Sequence, residues 1–167
     1  MQVYYENDSD LGVLQDKCIA IIGYGSQGHA HAQNLRDSGL NVVIGQRPGG
    51  RNWELAKKHG FDPLSAADAA KEADLIQLLV QDQYQPGVYC QEILPHLSSG
   101  KTLVFGHGFN IHYNQIVPPA DVDVIMIAPK GPGHLVRREY ERGCGVPALV
   151  AVYQDATGKA MDKALAY

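Results

Sequence analysis

Short runs of β-branched and aliphatic residues recur along the chain, separated by stretches in which apolar positions return every three or four residues. Six strand candidates stand out at Lys17–Ile22, Asn41–Gly45, Leu75–Val80, Thr102–Phe105, Asp123–Ala128 and Val146–Tyr153. Between them Ser26–Ser38, Asn52–His59, Ser65–Glu72, Gln85–Leu94 and His134–Arg142 are predicted as helices, with Ser65 an N-cap and Pro86 in a first turn. Strands that alternate with helices build βαβ units. The expected class is therefore α/β, a doubly wound Rossmann-type sheet, mostly parallel, with helices on both faces. No repeat, low-complexity tract or long linker interrupts the pattern, so residues 1–167 read as one domain. After the last strand Asp155 or Thr157 can cap a further helix through Lys159, Ala160, Lys163 and Leu165. No stop signal precedes Tyr167, and the chain is expected to end inside that helix.

Composition narrows the picture. The formal charge of −4 comes from 18 acidic and 14 basic residues. The only basic cluster, Arg137, Arg138 and Arg142, is interleaved with Glu139 and Glu141, which argues against a nucleic-acid or anionic-membrane surface. No apolar stretch approaches the roughly 20 residues of a membrane span, and the acidic N-terminus lacks the marks of a signal peptide. A soluble, cytoplasmic protein is expected. Cys18, Cys90 and Cys144 are odd in number and far apart, which predicts buried, reduced thiols instead of disulfides or a zinc knuckle.

Directly after the first strand, Gly23-Tyr24-Gly25-Ser26-Gln27-Gly28 matches G-x-G-x-x-G in the strand-turn-helix setting that a dinucleotide site requires. Gly23 suits the tight turn, Gly25 the approach of a pyrophosphate, and Gly28 the close packing of helix on strand, with the Ser26 and Gln27 amides facing the anion. The second strand ends roughly 20 residues later, where an NAD-binding domain carries an acid for the ribose hydroxyls. Here Gln46 and Arg47 occupy that place, with Arg51 nearby and no acid before Glu54. An arginine there suits the 2′-phosphate of NADP.

Four strings resemble ketol-acid reductoisomerase: Tyr24 through Ala32 (YGSQGHAHA), His107 through His112 (HGFNIH), Val117 through Val124 (VPPADVDV) and Ala128 through Arg138 (APKGPGHLVRR). The resemblance covers essentially the whole chain and corresponds to the N-terminal half of that enzyme. It implies NADPH as cofactor and a 2-hydroxy-3-keto acid, 2-acetolactate or 2-aceto-2-hydroxybutyrate, as substrate. The implied reaction is a magnesium-assisted alkyl shift followed by reduction to a 2,3-dihydroxy acid, a step of valine and isoleucine biosynthesis. It also implies cofactor contacts at Tyr24, Gly25, Ser26, Gln27, Arg47, Gly50, Asn52, Asp82, Gln83, Tyr84, Gln85 and Gly133, beside Gly23 and Gly28 of the glycine motif. Two departures stand out: Gly50 and Asn52 replace the family's usual serines, and Gln81 precedes Asp82 where a proline is usual.

The family's catalytic histidine falls on His107, which the pattern places after the strand Thr102–Phe105, at the sheet edge where open α/β folds bind ligands. Lys130, at the end of the next strand, can present an ammonium to substrate or cofactor. His29 and His31, two apart, cannot share a helix face as metal ligands, and His112 and His134 read as structural or loop residues. Asp68, Asp74, Asp121 and Asp123 read as caps and solvated charges. No metal site is therefore expected in this chain; magnesium is expected only in the complete enzyme, whose helical C-terminal half supplies the carboxylates and the contacts of a homo-oligomer. The chain alone is expected to be inactive. Two other readings stay open: another NADP-dependent hydroxyacid dehydrogenase domain, or a non-enzymatic NADP-sensing module.

Overall fold

A computed structural model describes residues 2–167. After a short 3₁₀ turn the elements run α1 (Gly12–Gln15), β1 (Cys18–Ile22), α2 (Ser26–Asp37), β2 (Asn41–Gly45), α3 (Arg51–Lys58), α4 (Ala66–Glu72), β3 (Leu75–Leu78) and α5 (Gln85–Val88). A π-helical and a 3₁₀ turn carry the chain from α5 to His96, and then come β4 (Thr102–Phe105), α6 (Phe109–His112), β5 (Asp123–Pro129), α7 (Gly133–Glu141), β6 (Ala148–Gln154) and α8 (Ala160–Ala166). The six strands form one sheet in the order β2-β1-β3-β4-β5-β6. All neighbours pair in parallel except β5 and β6, which are antiparallel. The Rossmann-type class is as expected.

Strands β1, β3, β4 and β5 are buried along nearly their whole length because each is covered on both sides. Ile19 and Ile21 pack in one core with Ala32 and Leu35 of α2, Ala56 of α3 and Ala160 and Ala164 of α8. Ala20 and Ile22 point the other way, into a core with Ala66, Ala69 and Ala70 of α4, Ile93, and Ile111 of α6. The edge strand β6 differs: Leu149 and Tyr153 are exposed.

Ser65 does cap α4, its hydroxyl accepting from the Asp68 amide at 3.1 Å, and Pro86 does stand in the first turn of α5. Three sequence expectations need correction. Cys90 and Cys144 are exposed and Cys18 is half-buried, so the thiols are unpaired but not core residues. Strand three stops at Leu78, because Val80 opens the loop that carries the Asp82 turn. Asp123 is not solvated at all: it is fully buried and bound at 2.7 Å by the Lys163 ammonium from α8, with Thr157 donating to the same carboxylate. Burial pushes its carboxyl up, but the hydrogen bonds from Lys163 and Thr157 outweigh that and hold it below its ordinary value. No helix among the described residues is long and apolar enough to cross a membrane.

Candidate cofactor cleft and active site

The strand order reverses direction between β2-β1 and β1-β3, and ligands of such sheets bind outside the carboxyl ends at that point. The glycine loop, Gln46–Arg47, Asp82, His107 and Lys130 all follow carboxyl ends of parallel strands, so one sheet edge carries these groups.

Gly23 has φ +99°, and a Cβ there would meet the Val80 amide nitrogen at 2.9 Å, so both backbone freedom and space demand glycine. A Cβ on Gly28 would lie 2.0 Å from the Gly23 carbonyl oxygen, which lets α2 start directly against the turn. Around Gly25 nothing lies within 4 Å of that position, leaving open space above the loop. Gly25 is also the N-cap of α2 and supplies no side chain to its free amides. A diphosphate fits this cradle: open room, uncapped amides and the positive end of a 12-residue helix.

The side chains of the motif are spent on structure. Tyr24 is fully buried, hydrogen-bonded to His59 Nδ1 at 3.0 Å, and burial pushes its phenol up to about 12. Its side chain therefore packs in the core and its amide is taken by Gln46. Gln27 donates to the Gly131 carbonyl at 2.9 Å and meets His31 Nε2 at 3.3 Å, tying the glycine loop to the loop that carries Lys130. Ser26 Oγ accepts from the Gly133 amide at 3.2 Å, and a Cβ on Gly133 would overlap the Ser26 carbonyl, so α7 begins jammed against α2.

At the far end of the cleft Gln46 Oε1 accepts from the Tyr24 amide at 2.9 Å, while Arg47 and Arg51 are exposed. Gly50 is the N-cap of α3 and, like Gly25, brings no capping side chain, and Asn52 is half-buried in the first turn. Uncapped amides and two exposed arginines in one short loop are the donor types a phosphate would take.

On the other side of the glycine loop, Asp82, Gln83, Tyr84 and Gln85 form the turn into α5. Gln83 and Tyr84 are exposed. Gln85 is buried, donating to the Val80 carbonyl at 3.0 Å and to Asp82 Oδ1 at 3.2 Å, while its own oxygen accepts from Asn110 at 2.9 Å. Asn110 also donates to the Asp82 carbonyl at 3.0 Å. This clamp couples the β3 loop to α6 and so to His107, whose Nδ1 lies 3.3 Å from Asp82 Oδ2. The Phe109 amide points at the same Nδ1 from 3.4 Å. Protonated Nδ1 donates to the carboxylate; bare Nδ1 accepts from the amide. His107 is 69% exposed, and its Nε2 is the ring nitrogen left for a ligand. Lys130 is exposed, with its backbone held by the Pro147 carbonyl at 2.8 Å. Sequence reasoning named Asp82 only as a cofactor contact and overlooked Asn110; no local pattern signals a clamp between residues 25 positions apart.

The family described as acetohydroxy acid isomeroreductase, NADPH-binding domain, matches residues 13–167. The chain belongs to the ketol-acid reductoisomerase family. A solved NADH-preferring ketol-acid reductoisomerase from an uncultured archean is 49% identical, with a TM-score of 0.96 over 99% of this chain and 52% of that one. This chain thus spans about half the length of that reductoisomerase. A semialdehyde dehydrogenase NAD-binding protein from Cupriavidus necator (20% identity, TM-score 0.72, 90% of this chain and 60% of that one) shares the fold. So does the 3-hydroxyisobutyrate dehydrogenase of Mycobacterium tuberculosis (15% identity, TM-score 0.66, 90% and 50%).

Proposed function

We propose that this chain is the cofactor-holding half of an NADP-dependent ketol-acid reductoisomerase that converts 2-acetolactate to 2,3-dihydroxy-isovalerate in valine and isoleucine biosynthesis. The observation that carries the reading is His107 facing Asp82 at 3.3 Å beside an open glycine-loop cradle, in a chain of this family.

The α2 amides beside Gly25 would hold the diphosphate, Arg47 with Gly50 and Asn52 the 2′-phosphate, and the Asp82–Gln85 turn the nicotinamide side. Bound NADPH would supply a hydride. His107 Nε2 would give or take a proton at a substrate oxygen, with Asp82 holding the ring and stabilising its charged form. Lys130 would offset negative charge on the substrate. Magnesium does not fit here: among the described residues no group of three or more His, Cys, Asp or Glu side chains could hold it. The chain alone would bind cofactor without turning over substrate, and in the complete enzyme His107→Gln would lower kcat about 10²–10⁴-fold.

Calorimetric titration of this chain with NADPH and NADH, followed by a 2-acetolactate assay with magnesium, tests the reading. NADPH should bind about ten- to a hundredfold more tightly, as a charge-assisted contact is worth about 1.5–3 kcal/mol, and turnover should be nil. Equal affinities or an NADH preference, as in the archaeal relative, would remove Arg47 from its role. Turnover near that of a complete enzyme would show that the chain does hold the metals.

A further inference from the structure

Two buried amides, Gln85 at the start of α5 and Asn110 in α6, stand behind the exposed Asp82 and His107. A carbonyl can only accept, so the Gln85 atom 3.0 Å from the Val80 carbonyl is its nitrogen, and that nitrogen also reaches Asp82 Oδ1 at 3.2 Å. Its oxygen is left facing Asn110. By the same rule Asn110 presents its own nitrogen, which donates to Gln85 Oε1 at 2.9 Å and to the Asp82 carbonyl at 3.0 Å. Turning either amide over would set acceptor against acceptor. The contacts close a ring on Asp82, whose backbone carbonyl is held by Asn110 and whose Oδ1 is held by Gln85. A carboxylate is rigid, so placing those two atoms also places Oδ2, 3.3 Å from His107 Nδ1. Asn110 stands just past His107 in the chain, so one side chain ties both members of the pair together.

His107 Nδ1 has two neighbours with opposite demands. Asp82 Oδ2 requires a hydrogen on Nδ1, whereas the Phe109 amide, 3.4 Å away, requires a bare nitrogen. Asp82 is 40% exposed and, unless held, is free to turn into water. Whether it stays decides the tautomer.

We propose that Gln85 and Asn110 are positioning residues for His107: by holding Asp82 Oδ2 against Nδ1 they keep the ring proton there and leave Nε2 bare, so that His107 meets its substrate as a base. The inference rests on reading His107 as the residue that moves the proton. It gives the Gln85 side chain a task other than the cofactor contact that the family resemblance implies, since both of its polar atoms already have partners inside the protein. A buried network of this kind fixes one arrangement when it is complete.

Gln85→Met keeps the length of the side chain and removes its bonds to Asp82 and Asn110. Nitrogen chemical shifts of the His107 ring, recorded on this chain above the titration range of histidine and with neither cofactor nor substrate, should show the proton moving from Nδ1 toward Nε2. Asn110→Leu should do the same. Lys163→Met is the control for lost stability: it acts at the other end of the sheet and should lower Tm while leaving the His107 ring as it was. An unmoved ring spectrum in either clamp variant overturns the proposal, whatever happens to Tm. So does an equal movement in Lys163→Met, or a wild-type ring that already carries its hydrogen on Nε2. Should the clamp variants fail to fold, acid titration of the wild-type protein answers. Charge gained by His107 draws on Asp82, so the Gln85 side-chain amide resonances should shift with the same midpoint as the His107 ring; amide resonances that stay in place overturn the proposal. Neither measurement depends on turnover. A complete enzyme that kept its kcat in His107→Gln would sink the catalytic reading and leave the tautomer result standing, whereas an unmoved ring would sink the clamp and leave that reading intact.

Discussion

Two carboxylates in this domain each face a nitrogen-bearing side chain, Lys163 or His107, and they sit at opposite ends of the sheet. Asp123, at the start of β5, is fully buried; Lys163 reaches it at 2.7 Å, Thr157 donates at 2.7 Å, and the amides of Ala156 and Thr157 complete the shell. Asp82, beyond the carboxyl end of β3, is 40% exposed and meets His107 through one longer contact of 3.3 Å. The first pair has no solvent to fall back on and every lone pair is committed, so it holds α8 to the sheet. Water competes for the second, and a second partner for Nδ1, the Phe109 amide, waits 3.4 Å away. Full satisfaction fixes a structure; incomplete satisfaction leaves a proton free to move.

The largest effect should come from breaking the buried pair. Lys163→Met keeps the length of the side chain but strands the Asp123 carboxylate, which should cost about 3–5 kcal/mol. For a chain of this size that corresponds to a fall in Tm of roughly 6–20 °C. Thermal unfolding followed by circular dichroism reads it directly. A fall of less than about 2 °C would mean that water reaches Asp123 and that the two pairs differ less than their burial suggests.

Acid should come next. His31 is buried between Gln27 and Tyr167; burial, with His29 adding a smaller share, lowers its pKa to about 4. An unfolded histidine takes up a proton near pH 6.5. The unfolded state therefore binds the extra proton between those values, and the contribution of His31 is intact above about pH 6.5 and lost as pH falls toward 4. The loss amounts to about 3 kcal/mol. The depressed Asp123 carboxyl acts in the same direction, its share vanishing as pH falls through its folded value. Denaturant midpoints measured at steps from pH 7 to 4 should fall, and His31→Gln should flatten the slope between pH 6.5 and 4. An unchanged slope in that variant would assign the acid sensitivity elsewhere.

How much of this was legible beforehand follows from how local each signal is. The glycine loop, the strands β1, β2, β4 and β5 and the Ser65 cap are written in adjacent residues, and the structure places them within a residue or two of the expected bounds. The short helix Phe109–His112, which carries Asn110, escaped notice because four residues are too few to show a period. Asp123 was misread because its partner lies 40 positions away on another element, and a lone aspartate at a strand start looks solvated. The antiparallel direction of β6 left no mark, since period-two alternation is the same in either direction. The site followed the same rule: its residues could be listed from motifs, but not the pairing of His107 with Asp82 or the flips of Gln85 and Asn110.

The smallest effect on this chain should come from the exposed pair, and its smallness is informative. His107→Gln and Asp82→Asn each remove a contact that water can replace, so each should leave stability within about 0.5 kcal/mol of the parent. Of the two, Asp82→Asn is the stricter test, because Asp82 Oδ1 also accepts from buried Gln85 at 3.2 Å. Asparagine can keep that acceptor by presenting its oxygen to Gln85, which turns its –NH₂ toward His107. A bare Nδ1 would then accept from the new donor, whereas a protonated Nδ1 would lose its acceptor. In the parent the carboxylate favours Nδ1–H; in the variant the amide favours the tautomer with hydrogen on Nε2. Nitrogen chemical shifts of the His107 ring, recorded on the parent and on Asp82→Asn above pH 8, separate the two tautomers without any substrate present. A shift of the proton from Nδ1 to Nε2 at unchanged Tm is the expected outcome. Identical ring spectra would show that Asp82 does not orient His107, and a large loss of Tm would place this pair alongside Asp123 and Lys163 as a structural lock.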